Sequence, residues 1–277
     1  MWFIENYDDR ASLGLKVKQK LHEEQSSFQK IEVYETEFFG NLLTLDGLVM
    51  LTEKDEFVYH EMITHMPLCT LENPEKVLVV GGGDGGAIRE ILKHSSVKEA
   101  ILCEIDERVV RVCQKYFPGT SCELENGKVT LAFEDGFKFL GNYENYFDLI
   151  ITDSSDPVGP GVALFKEDYF KLVKKALKPD GIMVSQSESP WYYEETMNSM
   201  TLAMSNVFKH VETYIALVTL YPSGFWTITA ASDTHSLHNF NHKKSTEISK
   251  TCKYYNPELH KGSLALPNFV KNIVKNK

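Results

Sequence analysis

The segment from Val77 to Glu90 constrains the fold of this chain more than any other part of its sequence. It reads VLVVGGGDGGAIRE, so four apolar residues, three of them β-branched, lead directly into a glycine-rich stretch. A helical pattern of apolar residues follows at Ala87, Ile88, Ile91 and Leu92. We predict a buried parallel strand, a tight turn and the start of a helix.

The glycines of this turn fit a nucleotide-binding spacing, and the acid among them restricts the ligand. Gly81, Gly83 and Gly86 match G-x-G-x-x-G, in which the missing side chains let a ligand lie against the backbone. Asp84 stands inside the loop, where the pyrophosphate of a dinucleotide would approach it. Two anions at such a short distance repel each other. Asp84 therefore favours a ligand that presents a cation. The loop therefore predicts a nucleoside with a positively charged tail.

The patterns on either side of the loop predict two parts of the fold. Residues 12–52 alternate in a strand-like way around the turn signals Gly40-Asn41 and Asp46-Gly47, which predicts a small antiparallel sheet. From Val77 onward strand and helix patterns alternate, and the order predicts an α/β protein with a doubly wound, mostly parallel sheet. The predicted strands lie at 77–80, 99–104, 128–133, 147–152, 181–185, 211–219 and 225–231, and the predicted helices at 86–94, 106–116, 136–141, 167–177 and 191–207.

The last two of these strands form an antiparallel hairpin across the turn Tyr221-Pro222-Ser223-Gly224, which gives a seven-stranded sheet. We divide the chain into an N-terminal antiparallel β domain at 1–54 and a Rossmann-like domain at 55–277. A polar segment at 232–250 precedes a C-terminal segment that we expect to cover the domain.

Asp55 is expected to cap a helix that runs to about Met66 and ends at Pro67. His60 and His65 on this helix are five residues apart, which places them roughly 140° apart around the axis and spoils a zinc-binding arrangement. We expect His60 to face the ligand cleft and His65 to be a hydrogen-bonded core histidine. No metal site is predicted.

Acidic residues follow four of the predicted parallel strands at the edge where such sheets bind ligands. Asp84 follows the first strand, and Glu104 ends the second, where it can accept both ribose hydroxyls. Asp135 and Gly136 follow the third and suit an adenine edge, and Asp153 and Asp156 follow the fourth. Asp156 taken alone fits a turn cap equally well. Together these acids predict a cleft that holds a cation, because like charges in an empty cleft destabilise the protein.

Composition narrows the partners. Lys and Arg total 29 against 39 Asp and Glu, and the net charge of −10 disfavours nucleic acid and favours small cations. No apolar run is long enough for a membrane helix and the N-terminus lacks a signal-peptide pattern, so we expect a cytoplasmic protein without membrane contacts. The five cysteines show no C-x-x-C spacing and predict neither a disulfide framework nor a zinc site.

These motifs resemble those of the polyamine aminopropyltransferases, and most closely of the members that act on putrescine. The resemblance runs from about residue 4 to residue 275 through Asp55-Glu56-Phe57, His60-Glu61, GGGDGG, CEID, EDGF, DSSDPVGP and YPSG. It implies a methyltransferase-like Rossmann domain behind a β domain, assembled as a homodimer or homotetramer. It also implies transfer of an aminopropyl group from decarboxylated S-adenosylmethionine, a co-substrate, to putrescine, with methylthioadenosine as the second product and no cofactor.

The resemblance also assigns roles to residues. The resemblance implies that Asp153, which matches the proton-accepting aspartate of the family, accepts the proton here. The nucleoside contacts that it implies, together with those of the glycine loop, are Gln29, Gly81, Asp84, Glu104, Asp135, Gly136 and Pro160. The amine contacts that it implies are Tyr59, His60, Asp84, Asp153, Asp156 and Tyr221.

Physical chemistry is consistent with this reaction. A diamine with pKa values near ~10 is protonated at neutral pH, so a carboxylate must attract it and take a proton. A sulfonium is already an activated leaving group and needs no metal. Three alternatives stay open: an ordinary methyltransferase, a dehydrogenase and a polyamine-binding protein without activity. The preferred amine also stays open among putrescine, cadaverine, agmatine and spermidine, as does whether the loop 153–163 closes over the substrate.

Overall fold

A computed structural model describes residues 1–7, 10–154 and 159–274, with only the backbone described at Gly159 and Pro160. The described chain contains two β-sheets, and the helices pack mainly on the second sheet. No helix in these ranges is both long enough and apolar enough to cross a membrane. The predicted cytoplasmic location stays a prediction.

The N-terminal sheet is an antiparallel meander in which each strand pairs with the next along the chain. Asp46 and Gly47 both have positive φ at its last turn, as a two-residue hairpin turn requires. The predicted β domain is therefore confirmed, although the boundary at residue 54 stays a prediction. Its strands are β1 (Trp2–Tyr7), β2 (Ala11–Gln25), β3 (Lys30–Thr36), β4 (Asn41–Leu45) and β5 (Leu48–Thr52).

The second sheet has seven strands in the order β11-β12-β10-β9-β6-β7-β8. The strands from β10 to β8 are parallel, whereas β12 is antiparallel to both of its neighbours. This confirms the mostly parallel α/β sheet with a C-terminal hairpin. Its strands are β6 (Lys76–Gly81), β7 (Glu99–Cys103), β8 (Val129–Ala132), β9 (Phe147–Asp153), β10 (Leu177–Gln186), β11 (His210–Ala216) and β12 (Trp226–Ser232).

The central strand β6 is buried on both faces, which explains its unbroken apolar sequence. Val77 and Val79 belong to one hydrophobic cluster, and Leu78 and Val80 belong to another on the opposite face. The helices that cover the two faces and the C-terminal end are α1 (Glu56–Thr70), α2 (Gly86–Leu92), α3 (Glu107–Tyr116), α4 (Pro118–Ser121), α5 (Gly136–Leu140), α6 (Glu167–Ala176), α7 (Glu194–Val207), α8 (His242–Ser249), α9 (Pro257–Ser263) and α10 (Asn268–Ile273). Within the described ranges, three short 3-10 helices lie at Gly159–Phe165, Pro222–Gly224 and Leu237–Asn239.

Helix α1 departs from the prediction at both ends. It does not end at Pro67 but continues to Thr70, and the Leu71 N–H bonds to the Pro67 carbonyl at 3.0 Å. Asp55 precedes the helix, yet its side chain makes no cap and instead accepts from the Thr52 hydroxyl at 2.5 Å. The helix is buried around nearly its whole circumference, so tertiary packing, rather than local signals, sets its length.

The N-terminal sheet packs on α3 of the second domain. Ile31 and Val33 of β3 share a hydrophobic cluster with Val109 and Val112 of α3. At the edge of this contact, the Gln29 amide donates to the Asp106 carboxylate at 3.1 Å. The β domain thereby brings residues of its second hairpin to the ligand side of the parallel sheet.

Candidate active site

The site begins where β6 and β9 end side by side, at the point where the strand order reverses. Gly81 and Asp153 are paired across these strands, and the Gly82 N–H donates to the Asp153 carbonyl at 2.8 Å. Gly81 has a φ of +81°, and a Cβ on it would lie 2.2 Å from that carbonyl oxygen. Only glycine therefore lets the two strand ends meet in this way.

A cavity of about 570 Å³ opens at this point between the two sheets. Every predicted site residue whose side chain the structure describes lines it. These residues are Gln29, Tyr59, His60, Gly81, Asp84, Glu104, Asp135, Gly136, Asp153 and Tyr221. Asp156 lies outside the described residues, and Pro160 is described only as part of the backbone of the 3-10 helix Gly159–Phe165. Whether the loop 153–163 closes over the substrate stays open.

Glu104 occupies the end of the cavity where a ribose was predicted. Its side chain is buried, and its Oε1 accepts from the Asp106 N–H at 2.9 Å. Burial raises the pKa of Glu104 to about 7, against the hydrogen bond from the Asp106 N–H, which lowers it, while the charge of the Asp106 carboxylate adds to the rise. A Cβ on Gly83 would lie 3.0 Å from Glu104 Oε2, so the glycine loop leaves the space beside this carboxylate. Ribose hydroxyls would supply donors that favour its charged form.

Asp135 and Gly136 line the cavity and also stabilise the start of α5. Asp135 Oδ1 caps α5 by accepting from the Phe137 N–H at 2.8 Å. A Cβ on Gly136 would lie 2.4 Å from Val80 Cγ1, which accounts for the glycine. One oxygen of Asp135 is thus committed to the helix, and its second oxygen is the one that can meet a ligand.

Asp153 is a second buried carboxyl group of the cavity with a raised pKa. Burial, and then the nearby charge of Asp84, raise the pKa of Asp153 to about 6. Its Oδ1 accepts from the Tyr59 hydroxyl at 2.8 Å, whereas its Oδ2 is buried with no hydrogen-bond partner among the described residues. A buried carboxylate oxygen without a donor is costly, and a cationic N–H in the cavity would satisfy it.

Asp84 is held from two sides on one oxygen. Its Oδ1 accepts from the Gly86 N–H at 2.7 Å and lies 3.2 Å from His60 Nε2. The other ring nitrogen, Nδ1, lies 2.7 Å from Glu56 Oε2. Burial alone would lower the pKa of His60, but Asp84 and Glu56 outweigh it and hold this pKa well above its usual range. With both nitrogens protonated, His60 has no lone pair to offer a metal ion.

Two tyrosines close the amine side of the cavity. Tyr221 lies in the turn before β12, and its hydroxyl donates to the Met50 carbonyl of β5 at 2.7 Å. Its ring is 5.7 Å from that of Tyr59. Residues from the N-terminal sheet, from α1 and from the C-terminal hairpin thus converge on one end of the cavity.

Glu5, Gln186 and Trp226 are among the lining residues that the sequence analysis missed. Gln186 ends β10, so extending the strand-end argument to the fifth parallel strand would have found it. Glu5 is buried at an inward-facing position of β1, between the inward-facing Phe3 and Tyr7, and an acid in such a position is a signal. Trp226 reads as an ordinary strand residue, and nothing local marks it.

Comparison with known proteins agrees with this geometry. Residues 56–244 match the spermine/spermidine synthase domain, and residues 1–53 match the spermidine synthase tetramerisation domain. The polyamine aminopropyltransferase of Shouchella clausii is 44% identical over 274 residues, which is 99% of each chain. That of Thermoanaerobacter sp. (strain X514) is 45% identical over 99% of this chain and 98% of its own.

Two solved structures superpose on nearly the whole chain. A spermidine synthase in complex with the transition state analogue AdoDATO has a TM-score of 0.97 and 40% identity, covering 99% of this chain and 94% of its own. The spermidine synthase from Thermotoga maritima has a TM-score of 0.95 and 39% identity over the same shares. The chain therefore belongs to the polyamine aminopropyltransferase family, that of the spermidine and spermine synthases, and is an enzyme of this class.

Proposed function

We propose that this enzyme transfers the aminopropyl group of decarboxylated S-adenosylmethionine to putrescine and forms spermidine and methylthioadenosine. The observation that carries the proposal is Asp153, a buried carboxyl group with a pKa raised to about 6 and one oxygen without a described partner. Such a group is ionised at neutral pH, and its affinity for a proton is higher than that of an ordinary aspartate. It is suited to attract an ammonium and to accept its proton.

In the proposed reaction the deprotonated amine nitrogen attacks the methylene carbon bound to sulfur. The new N–C bond forms as the C–S bond breaks, and the sulfonium leaves as the neutral thioether of methylthioadenosine. The proton from the attacking nitrogen passes to Asp153. No cofactor or metal is needed for this step, because the sulfonium is already an activated leaving group, and alignment of nitrogen and carbon supplies most of the catalysis.

In the proposed complex each of the two substrates binds at one end of the cavity. Gln29, Gly81, Glu104, Asp135, Gly136 and Pro160 are assigned to the nucleoside. Tyr59, His60, Asp153, Asp156 and Tyr221 are assigned to the amine. Asp84 lies between these groups and is assigned to the aminopropyl ammonium, where it also disfavours the carboxylate of ordinary S-adenosylmethionine.

We also propose that the enzyme assembles through its N-terminal sheet, as a homodimer or homotetramer. Trp2 and Ile4 are 62% and 50% exposed on the outer face of β1, beside the exposed Met1. The name of the family model that matches residues 1–53 agrees with this. Light scattering of the wild type against Trp2→Ser/Ile4→Ser should show a smaller species for the double variant, and an unchanged mass would exclude this surface.

A competition assay tests the proposed reaction. Purified protein receives decarboxylated S-adenosylmethionine and equal concentrations of putrescine, cadaverine, agmatine and spermidine, and the products are separated by mass spectrometry. We expect spermidine as the dominant product, with one methylthioadenosine for each transfer. Dominance of another aminopropylated amine would replace putrescine as the substrate, and the absence of methylthioadenosine would reject the proposal.

A further inference from the structure

The contacts that Asp84 makes within the protein determine which of its two oxygens faces the cavity. Both donors that reach it, the Gly86 N–H and His60, meet the same oxygen, Oδ1. This leaves Oδ2 as the oxygen available to the cavity. A Cβ on Gly86 would lie 2.3 Å from the His60 ring, so the ring is packed directly against the start of α2. The orientation of Asp84 therefore depends on where the His60 ring stands.

His60 is held in turn by a pair of residues behind the cavity wall. Glu56 Oε2 lies 2.7 Å from His60 Nδ1, one helical turn away on α1. Arg89 of α2 donates two hydrogen bonds to Glu56, from Nη1 to Oε1 at 2.9 Å and from Nη2 to Oε2 at 2.8 Å. The Glu56 side chain is only 6% exposed. The two helices are thus joined by a bidentate ion pair directly behind the ring.

We propose that Glu56 is a positioning residue for the aminopropyl transfer: braced by Arg89, it orients His60 to donate to Asp84, and this fixes Asp84 for the cationic substrate. The inference rests on the role given to Asp84 in the proposed function. Glu56 acts through His60 and needs no contact with either substrate.

The proton count of the ring supports this role. A neutral imidazole has one N–H and can donate to only one carboxylate, whereas His60 lies between two. Holding both requires the imidazolium. Among the described residues, the charged and titratable groups facing the ring are Glu56 and Tyr59 on its own helix, Asp84 on the glycine loop and Asp153 on β9. Burial would raise the pKa of Glu56, but His60 and then Arg89 lower it to about 2.

Replacing Glu56 by glutamine tests the proposal, and Glu90→Gln is a matched control. Glu90 is also buried, also bonds Arg89 and also bonds a histidine of α1, but that histidine is His65 in the core. In E56Q the ring loses its proton within the neutral range, and its hydrogen bond to Asp84 loses the assistance of charge. We expect the ratio of wild-type to E56Q kcat/KM to rise from about 2-fold at pH 6 to roughly 10-fold at pH 9. For E90Q we expect a ratio within about 2-fold at every pH.

The protonation of His60 is measured independently by NMR of the labelled histidine rings, with the signal assigned from His60→Asn. In the wild type the ring should stay protonated from pH 6 to pH 8, and in E56Q it should titrate in that range. A wild-type ring that titrates near pH 6.5 would overturn the proposal, and this test needs no variant of Glu56. A pH-independent E56Q ratio, or one equal to that of E90Q, would also overturn it. If no amine is aminopropylated at all, the proposed function fails, while the NMR result still decides whether Glu56 sets the state of His60.

Discussion

Two histidines of one helix, five residues apart, are each built into a buried polar cluster, and only one of the clusters opens to the cavity. His60 lies between Glu56 and Asp84 at the cavity wall. His65 is fully buried in the core, where its Nε2 donates to Glu90 at 3.0 Å and its Nδ1 contacts His94 Nε2 at the same distance. The same residue types, on the same helix, thus serve a site and a core.

The difference between the clusters lies in what is left without a partner. In the core cluster, Glu90 accepts from His65, Arg89 and Lys93, and these contacts hold its pKa far below its usual value despite burial. In the site cluster, Asp153 Oδ2 has no partner among the described residues, and the pKa of Asp153 is raised. A cluster whose polar atoms are all hydrogen-bonded stabilises the fold. A cluster with an unpaired buried oxygen can gain a hydrogen bond when a ligand binds.

The largest expected effect is the loss of turnover when the open carboxylate is removed. Asp153→Asn keeps the size of the side chain and its contact with Tyr59 but takes no proton. We expect kcat to fall by roughly 10² to 10⁴ while methylthioadenosine binds with nearly unchanged affinity. Steady-state kinetics and calorimetry measure the two quantities. Turnover near the wild-type value would remove Asp153 from the proposed role.

The corresponding substitution in the core cluster should lower the stability of the fold and leave catalysis unchanged. Glu90→Gln leaves Arg89 and Lys93 facing a neutral amide, and breaking a buried ion pair costs about 3 kcal/mol of unfolding free energy. Chemical denaturation gives this value, and the competition assay at a temperature well below unfolding gives the activity. A variant as stable as the wild type but catalytically weak would reverse the assignment of the two clusters.

The sequence predicts this division only in part. The strand-end rule places Asp84, Glu104, Asp135 and Asp153 in one cleft, because the carboxyl ends of parallel strands share one edge of the sheet. The 3.6-residue period predicts that His60 and His65 face different sides of α1. The partner of His65 on α2, Glu90, could not be predicted, since the contact between α1 and α2 depends on tertiary packing. The continuation of α1 past Pro67 was missed for the same reason.

A smaller loss of activity is expected when the His60 ring is displaced by steric contact with the start of α2 and no charge is removed. Gly86→Ala places a Cβ within 2.3 Å of the His60 ring, so the ring must leave Asp84. We expect kcat/KM to fall by roughly 10-fold, the value of a charge-assisted hydrogen bond. Gly119→Ala is the control, because a Cβ there meets nothing within 4 Å. Equal kinetics of the two variants would show that the ring position is unimportant.

Asp84 should set the choice between two forms of the nucleoside substrate. Ordinary S-adenosylmethionine brings a carboxylate toward Asp84, which repels it, and Asp84→Asn removes that repulsion. We expect the dissociation constant of the ordinary form, divided by that of the decarboxylated form, to fall by about 10-fold in this variant. Calorimetry with both ligands measures it, and Asp180→Asn on the exposed strand start is the control. An unchanged ratio in the Asp84 variant would contradict the charge argument.

The smallest expected effect is a difference in how the two clusters respond to pH. His94 is buried and its pKa is held well below its usual value by burial and by the charge of His65. Its contribution to stability is therefore fully present above pH 6.5 and is lost progressively as pH falls from there through the lowered pKa of the folded state. The core cluster predicts a lower unfolding temperature on the acid side.

The site cluster predicts the opposite sign for the ligand-free enzyme. The pKa of Asp153 is raised from 3.8 to about 6, so its contribution is fully present below pH 3.8 and is lost as pH rises through 6. Asp153→Asn removes this loss. We expect the variant to unfold a few degrees above the wild type at pH 8, with a smaller gap at pH 5, in thermal scans without ligand. A gap that widens toward acid pH would mean that Asp153 is as well satisfied in the fold as Glu90, and the contrast between an open and a closed cluster would no longer hold.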